Sequence, residues 1–122
     1  MAQSNSYKDL KVWQRGLELV IEVYKLTEKF PRSELYGLAS QMQRAAVAIP
    51  SNIAEGQKRG HIKEFLQFLY IAYGSGAELE TQIAISKRLL NTKDLRYNNS
   101  ESILAEVMKM LNVLISTLKS RV

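Results

Sequence analysis

The chain has 122 residues, of which 46% are apolar, as expected of one globular domain with a modest core. It contains no cysteine, which excludes a disulfide framework, a thiolate metal site and a thiol nucleophile. Seventeen Lys and Arg residues against twelve Asp and Glu residues give a formal net charge of +5, and a basic balance favours polyanionic partners. The N-terminal residues are polar and no apolar run approaches the roughly 18 residues of a membrane span. We therefore expect a cytoplasmic protein that makes no membrane contact.

The first predicted helix begins near Asp9 and ends before Pro31, because the residue before a proline is pushed out of the helical region. Its apolar residues recur at three- and four-residue steps, and they form two adjacent lines. The predicted seam comprises Leu10, Trp13, Leu17, Val20 and Tyr24, and the line beside it comprises Leu19, Val23, Leu26 and Phe30.

The second predicted helix runs from Leu35 or Leu38 to Glu55 and contains Pro50 inside its apolar pattern. A proline inside a helix removes one backbone hydrogen bond and presses on the preceding turn. We expect the helix to bend near residues 46–49 rather than end there. Small side chains surround the proline, so a neighbouring helix can approach closely. Gly56 and Gly60 are expected to end the helix and form a turn.

The third helix is predicted from Ile62 to Leu90 and the fourth from a cap at Ser100 to Leu118. The third contains Gly74 and Gly76, which we expect to lie against the small residues around Pro50. No strand pattern occurs, and the connections are short. The sequence therefore predicts one all-α domain over residues 1–122, an antiparallel up-down-up-down four-helix bundle with a proline-kinked second helix.

Five motifs in this order resemble those of one known family. They are Leu-Lys-Val-Trp-Gln at 10–14, Ile-Pro-Ser-Asn-Ile-Ala-Glu-Gly at 49–56, Lys-Glu-Phe-Leu at 63–66, Phe-Leu-Tyr-Ile-Ala at 68–72 and Glu-Leu-Glu-Thr-Gln at 78–82. Over roughly residues 8–118 the chain resembles the bacterial four-helix bundle proteins encoded within intervening sequences of 23S ribosomal RNA genes. The resemblance implies a barrel-like homopentamer. It also implies kinship with the accessory variability proteins of diversity-generating retroelements, which bind nucleic acid and a reverse transcriptase.

The acidic side chains do not form a recognisable catalytic or metal-binding pattern. Ferritin-like bundles bind two metals through paired Glu-x-x-His motifs, and His61 is the only histidine here. We therefore predict no metal, no cofactor and no enzyme. Charged groups beside a core persist when they are paired or hydrogen-bonded, so a structural role near the kink is favoured. The residues predicted to form or pin the kink are Arg44, Pro50, Ser51, Asn52, Glu55, Glu78 and Glu80.

Basic residues concentrate at two predicted turns. The first cluster is Lys58, Arg59 and Lys63, between helices two and three; the second is Lys87, Arg88, Lys93 and Arg96, between helices three and four. Such clusters are often only solvated surface. Five-fold assembly would repeat each cluster in a ring, so that weak phosphate contacts add up.

The third helix has more apolar residues than one bundle seam needs, and surplus apolar edges usually mark oligomer contacts. The predicted oligomer interface contains Phe68, Tyr70, Ile71 and Tyr73. Three functions remain in competition. The favoured one is a non-enzymatic homo-oligomer that binds RNA, structured DNA or a nucleoprotein partner, including a reverse transcriptase where the gene is linked to a retroelement. The alternatives are a protein scaffold without nucleic-acid affinity and an enzyme, for which no competent residues are found.

Overall fold

The computed structural model describes residues 6–122, which form four α-helices and two short 3-10 turns. The helices are α1 (Lys11–Thr27), α2 (Leu38–Lys58), α3 (Ile62–Ser86) and α4 (Asn98–Lys119). The 3-10 turns are Tyr7–Asp9, before α1, and Arg32–Glu34, between α1 and α2. No strand occurs in residues 6–122, so the predicted all-α class is confirmed.

The four helices surround one core, and each packs against two others. α1 contacts α2 and α4, and α3 contacts the same two helices. The largest fully buried apolar side chains come from all four helices: Leu19, Val23, Met42, Ile49, Ile53, Leu69, Leu79, Val107 and Leu111. A four-helix fold is therefore confirmed. Its neighbour order is that of an up-down-up-down bundle, and the alternation of helix direction stays a prediction.

The predicted seam of α1 is confirmed only in part, because Leu10, Trp13 and Val20 are partly buried and pack against the core. Leu17 and Tyr24, which we placed on the seam, are 41% and 46% exposed, whereas Leu19 and Val23 are completely buried. Gly16 is also buried in α1. The most deeply buried residues belong to the second apolar line, and the ring of a proline in α2 lies beside Gly16.

That proline is Pro50, and α2 continues through it without interruption. The ring is buried, and a Cβ added at Gly16 would lie 3.4 Å from Pro50 Cβ and 3.5 Å from Pro50 Cδ. The two helices are therefore in van der Waals contact at this point. The continuity of the helix agrees with a bend rather than a stop, and the bend itself stays a prediction.

The predicted contact between the α3 glycines and the residues around Pro50 is wrong. A Cβ added at Gly76 would overlap Sδ of Met108 in α4, and a Cβ added at Gly74 would meet nothing within 4 Å. Gly76 therefore accommodates a large side chain of α4 rather than the backbone of α2. The close α2–α3 contact lies elsewhere, at Gly56, where an added Cβ would lie 2.5 Å from Phe68 Cβ.

Three predicted helix ends differ from the structure. α2 continues past Gly56 to Lys58, and Gly60 is the glycine that reverses the chain, with φ of +79°. α3 ends at Ser86 rather than Leu90, which is 79% exposed. α4 begins at Asn98, so Ser100 lies inside the first turn and does not cap the helix.

Candidate nucleic-acid interface

The first basic cluster lies where α2 ends and α3 begins, as predicted. The Arg59 guanidinium binds the Glu55 carboxylate at 3.1 Å and lies 5.0 Å from the centroid of the Phe68 ring. Arg59 therefore links the end of α2 to α3 by a cation–π contact. Lys58 and Lys63 are exposed, and neither forms an ion pair with a described residue. These two lysines are the cations of this cluster that remain available to an external anion.

The second basic cluster begins at the end of α3 and extends to the residue before Tyr97. Lys87 Nζ binds the Glu101 carboxylate of α4 at 2.8 Å, and Arg88 Nη1 donates to the Ala84 carbonyl at 2.9 Å. Lys93 and Arg96 are exposed, and neither pairs with a carboxylate among residues 6–122. Lys87 is thus occupied by a contact between helices, whereas Lys93 and Arg96 face solvent.

A buried chain of hydrogen bonds orders the segment that carries Lys93 and Arg96. Tyr97 Oη donates to the Thr92 carbonyl at 2.7 Å, Thr92 Oγ1 donates to the Ser86 carbonyl at 2.7 Å, and Ser86 Oγ donates to the Gln82 carbonyl at 2.9 Å. Burial raises the pKa of the Tyr97 hydroxyl above its ordinary value, and hydrogen bonds to Ser86 and Thr92 act in the opposite direction. These buried hydrogen bonds therefore fix the conformation of the segment between α3 and α4. Thr92 and Tyr97 were not predicted, because a Thr and a Tyr in a polar run carry no distinctive signal.

The residues predicted to pin α3 to α2 do not pair within the described chain. Glu78 and Glu80 are exposed and form no ion pair or hydrogen bond with a residue in 6–122. Arg44 and Glu78 line the same cavity, of about 250 Å³, without forming an ion pair. The side chains lie on the outer surface of the two helices, where water solvates them at little cost.

The three polar residues after Pro50 that were predicted to act at the kink differ in their hydrogen-bond partners. Asn52 Nδ2 donates to the Ala48 carbonyl at 2.7 Å, so its predicted bond to the backbone of this turn is formed. The carbonyl that the proline leaves without an amide partner is that of Ala46, which Asn52 does not reach. Ser51 is exposed, and its hydroxyl has no hydrogen-bond partner in residues 6–122. Glu55 pairs with Arg59 within α2, as described above, and not with α3.

Three of the four predicted interface residues are exposed apolar side chains. Tyr70, Ile71 and Tyr73 are 48%, 52% and 36% exposed. Phe68 is different, because its Cβ covers Gly56 and its ring lies under Arg59, so it is used within the protomer. The structure adds an apolar group that was not predicted, on α1 and α2: Leu17, Ile21, Tyr24 and Val47. Two of these residues, Leu17 and Tyr24, were placed on the predicted seam of α1, so their apolar spacing was noticed but was assigned to the core rather than to the surface.

An ionic contact between α1 and α4 was also not predicted. Arg15 Nε and Nη2 bind the two carboxylate oxygens of Glu106 at 2.9 and 2.7 Å, and Arg15 Nη1 binds Glu18 at 2.6 Å. The hydrogen bond from Arg15 lowers the pKa of Glu106, and the same contact raises the pKa of Arg15. A single sequence gives no sign that residues so far apart in the chain should meet.

Neither a metal site nor a membrane span occurs in the part of the chain that the structure describes. No three His, Cys, Asp or Glu side chains of residues 6–122 gather closely enough to hold a metal ion, and His61 is exposed. None of the four helices combines the length and the apolar character that crossing a membrane requires.

The fold and these surfaces define a class of protein: a small four-helix protein with exposed cations at both ends of α3. The family model for the 23S rRNA-intervening sequence protein matches residues 8–113, and the chain belongs to this family. The resemblance inferred from the five motifs is therefore confirmed. The relation to retroelement accessory proteins stays a prediction. No curated protein matches the chain.

Proposed function

We propose that this protein is a non-enzymatic homo-oligomer, a pentamer, that binds RNA or structured DNA through its basic clusters. The observation that carries the proposal is that most cations of the two clusters have no carboxylate partner. Of the seven predicted contact residues, only Arg59 and Lys87 form ion pairs within the described chain. The remaining five are Lys58, Lys63, Arg88, Lys93 and Arg96.

Cations that a protein leaves without carboxylate partners are those that can neutralise phosphates and release counterions. The two clusters lie at the two ends of α3, a helix of 25 residues. At 1.5 Å per residue this separation is roughly 35–40 Å, so one protomer presents two separate sites for phosphates. The binding is independent of base sequence, because a phosphate contact carries no sequence information.

Assembly is supported by the exposed apolar side chains. Ile71 and Ile85 of α3 are 52% and 44% exposed, and Ile21 of α1 is 55% exposed. Exposed apolar area of this kind is favourable to cover with a second protomer. A pentamer would repeat each weak phosphate contact five times, which raises the affinity for a long polyanion far above that of one protomer.

The second candidate function is a protein scaffold without nucleic-acid affinity. The same apolar side chains favour it, because a heterologous partner would cover them equally well. It differs from the first proposal in one consequence: removal of a cation from a cluster would leave its binding unchanged.

Two exposed lysines on helices offer a matched test. Lys63 belongs to the first cluster, whereas Lys109 lies in α4, away from both clusters, and neither has an ion-pair partner in residues 6–122. Lys63→Glu should weaken the binding of a labelled RNA, measured by fluorescence anisotropy, and should reduce the salt dependence by about one phosphate contact per protomer. Lys109→Glu makes the same change in charge and should have a smaller effect. Equal effects of the two variants, or none, would contradict binding through the clusters.

A further inference from the structure

A cavity of about 630 Å³ lies between α1 and the beginning of α4, and three cations line it. Lys25 and Lys29 come from the last turn of α1 and the residues after it, and Arg96 comes from the segment before α4. Arg96 was assigned above to the second basic cluster, whereas the two lysines belong to neither cluster. The cavity therefore collects cations that are far apart in the sequence.

The first turn of α4 forms part of the same cavity. Asn98, Asn99 and Ser100 line it, and Tyr97 at the N-cap position provides no side-chain hydrogen bond to the helix. The first backbone N–H groups of an α-helix have no partner inside the helix, and they carry the positive end of its dipole. Anions bind favourably at such a position.

Ser100 supplies an observation that is independent of the helix end. The residue is 2% exposed and lines the cavity, and its hydroxyl forms no hydrogen bond with a residue in 6–122. Buried polar groups are normally hydrogen-bonded, and nearby Thr92 and Tyr97 follow this rule. The Ser100 side chain is thus almost wholly buried, and its unpartnered hydroxyl oxygen keeps a small accessible surface through which a molecule in the cavity can bond it.

Two carboxylates oppose the cations. Glu22 lines the cavity and binds Lys25 at 3.3 Å, and Asp94 lies near Arg96 in the sequence. The side chains therefore contribute three positive and two negative charges, to which the helix adds roughly half a positive charge. Leu26 and Leu95 provide an apolar part of the wall. A ligand with one strongly anionic group and a less polar remainder matches this arrangement.

We infer that the cavity binds a phosphate monoester, either that of a free mononucleotide or that at the end of a nucleic-acid strand. A monoester carries close to two negative charges and three acceptor oxygens. The first amides of α4, the Ser100 hydroxyl and Arg96 supply donors for these oxygens, and the leucines contact the remainder of the nucleotide. The volume lies within the roughly 300–1,000 Å³ of small-molecule sites. For a strand end the inference rests on the proposed nucleic-acid binding, and for a free mononucleotide it does not.

An NMR titration of the full chain tests the site directly. Adenosine 5′-monophosphate should shift the amide signals of Asn98, Asn99 and Ser100 in a saturable manner, and inorganic phosphate should shift the same signals at higher concentration. Adenosine, which lacks the phosphate, should leave them unchanged. Equal shifts with adenosine and its monophosphate would overturn the inference, and so would shifts that do not saturate or that miss the start of α4.

Variants locate the binding further. Arg96→Gln should weaken monophosphate binding by about tenfold, the usual loss for one hydrogen bond to a charged group. Ser100→Ala should weaken it by roughly threefold to tenfold without lowering the unfolding midpoint, because the hydroxyl has no partner to lose. Glu22→Gln should strengthen binding by releasing Lys25. Lys93→Gln is the matched control, because it removes a charge from the same segment outside the cavity, and a loss as large as that of Arg96→Gln would contradict the assignment.

Two RNAs of identical sequence, with a 5′-phosphate or a 5′-hydroxyl, identify the source of the monoester. Tighter binding of the phosphorylated RNA assigns the cavity to strand ends, and equal binding together with saturable monophosphate binding assigns it to mononucleotides. Salt-dependent binding of both RNAs without monophosphate binding would contradict the inferred monoester site but would agree with the proposed function. Saturable monophosphate binding without RNA binding would support the cavity and contradict the proposed function.

Discussion

Two glycines of the α2–α3 pair stand in opposite environments. Gly56 is buried in α2 beneath Phe68, and an added Cβ would lie 2.5 Å from Phe68 Cβ and 3.1 Å from Phe65 Cδ1. Neither neighbour atom is the free end of a flexible chain, so a methyl group at position 56 forces the helices apart. Gly74 of α3 is exposed, and nothing lies within 4 Å of an added Cβ.

The two alanine variants should therefore change stability in opposite directions. Gly74→Ala should raise the free energy of unfolding by about 0.5–1 kcal/mol, because alanine loses less backbone entropy in a helix. Gly56→Ala gains the same helix preference but overpacks the contact with α3, and we expect a net loss of about 1–2 kcal/mol. Urea unfolding followed by circular dichroism measures both. Stabilisation by Gly56→Ala would show that the two helices are not in this close contact.

The Arg15–Glu106 contact makes a stability contribution that depends on pH. Arg15 lowers the pKa of Glu106 below its ordinary value of 4.5, so the folded state holds this proton less tightly than the unfolded chain does. The contribution is therefore fully present above pH 4.5, and it disappears as the pH falls through the lower pKa of the folded state.

Comparison with Glu106→Gln isolates this contribution. The variant should be less stable than the original chain at pH 7, and the difference should shrink as the pH falls below 4.5. Unfolding at a series of pH values measures it, with Glu80→Gln as the control, because Glu80 has no ion pair among the described residues. A difference that persists unchanged at acid pH would mean that the carboxylate charge is not responsible.

At the scale of elements, the connection between α3 and α4 depends on one buried tyrosine. Tyr97 is 3% exposed, and its hydroxyl is the donor that ties the segment to Thr92. This segment carries Lys93 and Arg96, so the same bond that stabilises the fold also positions two of the proposed contact residues.

Tyr97→Phe should lower the free energy of unfolding by about 1–2 kcal/mol, because it leaves the buried Thr92 carbonyl without this donor. Hydrogen exchange should become faster at residues 87–97. Tyr70→Phe removes the same group from a tyrosine that is 48% exposed and has no hydrogen-bond partner in the described chain, so it should change neither quantity. Equal effects of the two variants would contradict the role of Tyr97.

The helices were predictable from the sequence because their apolar spacing and their glycine and proline signals agree. The buried line of α3, including Leu69, Leu79 and Ile83, follows the predicted four- and three-residue steps. The buried face of α1 was not predictable in the same way. Both of its lines are apolar and both contribute residues to the core, and which residues stay exposed depends on how the other helices pack against α1.

The positions of the basic clusters were predictable, but the partners of their members were not. Lys58 and Lys63 lie at helix ends and Arg96 lies in the connection before α4, as the sequence predicts. The occupation of Lys87 by Glu101 depends on how α4 packs against α3, and no local pattern encodes that geometry. The cavity at the start of α4 was unpredictable for the same reason, because Lys29 and Arg96 come to line one cavity only in the folded chain.

For the whole molecule, the proposed assembly would cover apolar side chains that the four helices leave exposed. Ile71 on α3 is 52% exposed and belongs to the predicted interface, whereas Val113 on α4 is 60% exposed and does not. These two residues allow the interface to be tested with a single type of substitution.

Ile71→Asp should reduce the molar mass in solution toward that of one protomer, because it places a charge in the surface that the proposed assembly would bury. Val113→Asp should leave the mass unchanged. Size-exclusion chromatography with light scattering measures both, and circular dichroism checks that each variant is folded. An original chain that is already a single protomer at micromolar concentration would contradict the assembly.

The dependence of RNA affinity on salt concentration tests the proposed function most directly. Binding through phosphate contacts releases counterions, so the logarithm of the association constant should fall linearly and steeply with the logarithm of the salt concentration. In the proposed pentamer each protomer would contribute several cations, so the slope should exceed that of any single cluster. An affinity that does not change with salt, or no binding at micromolar protein, would contradict the account.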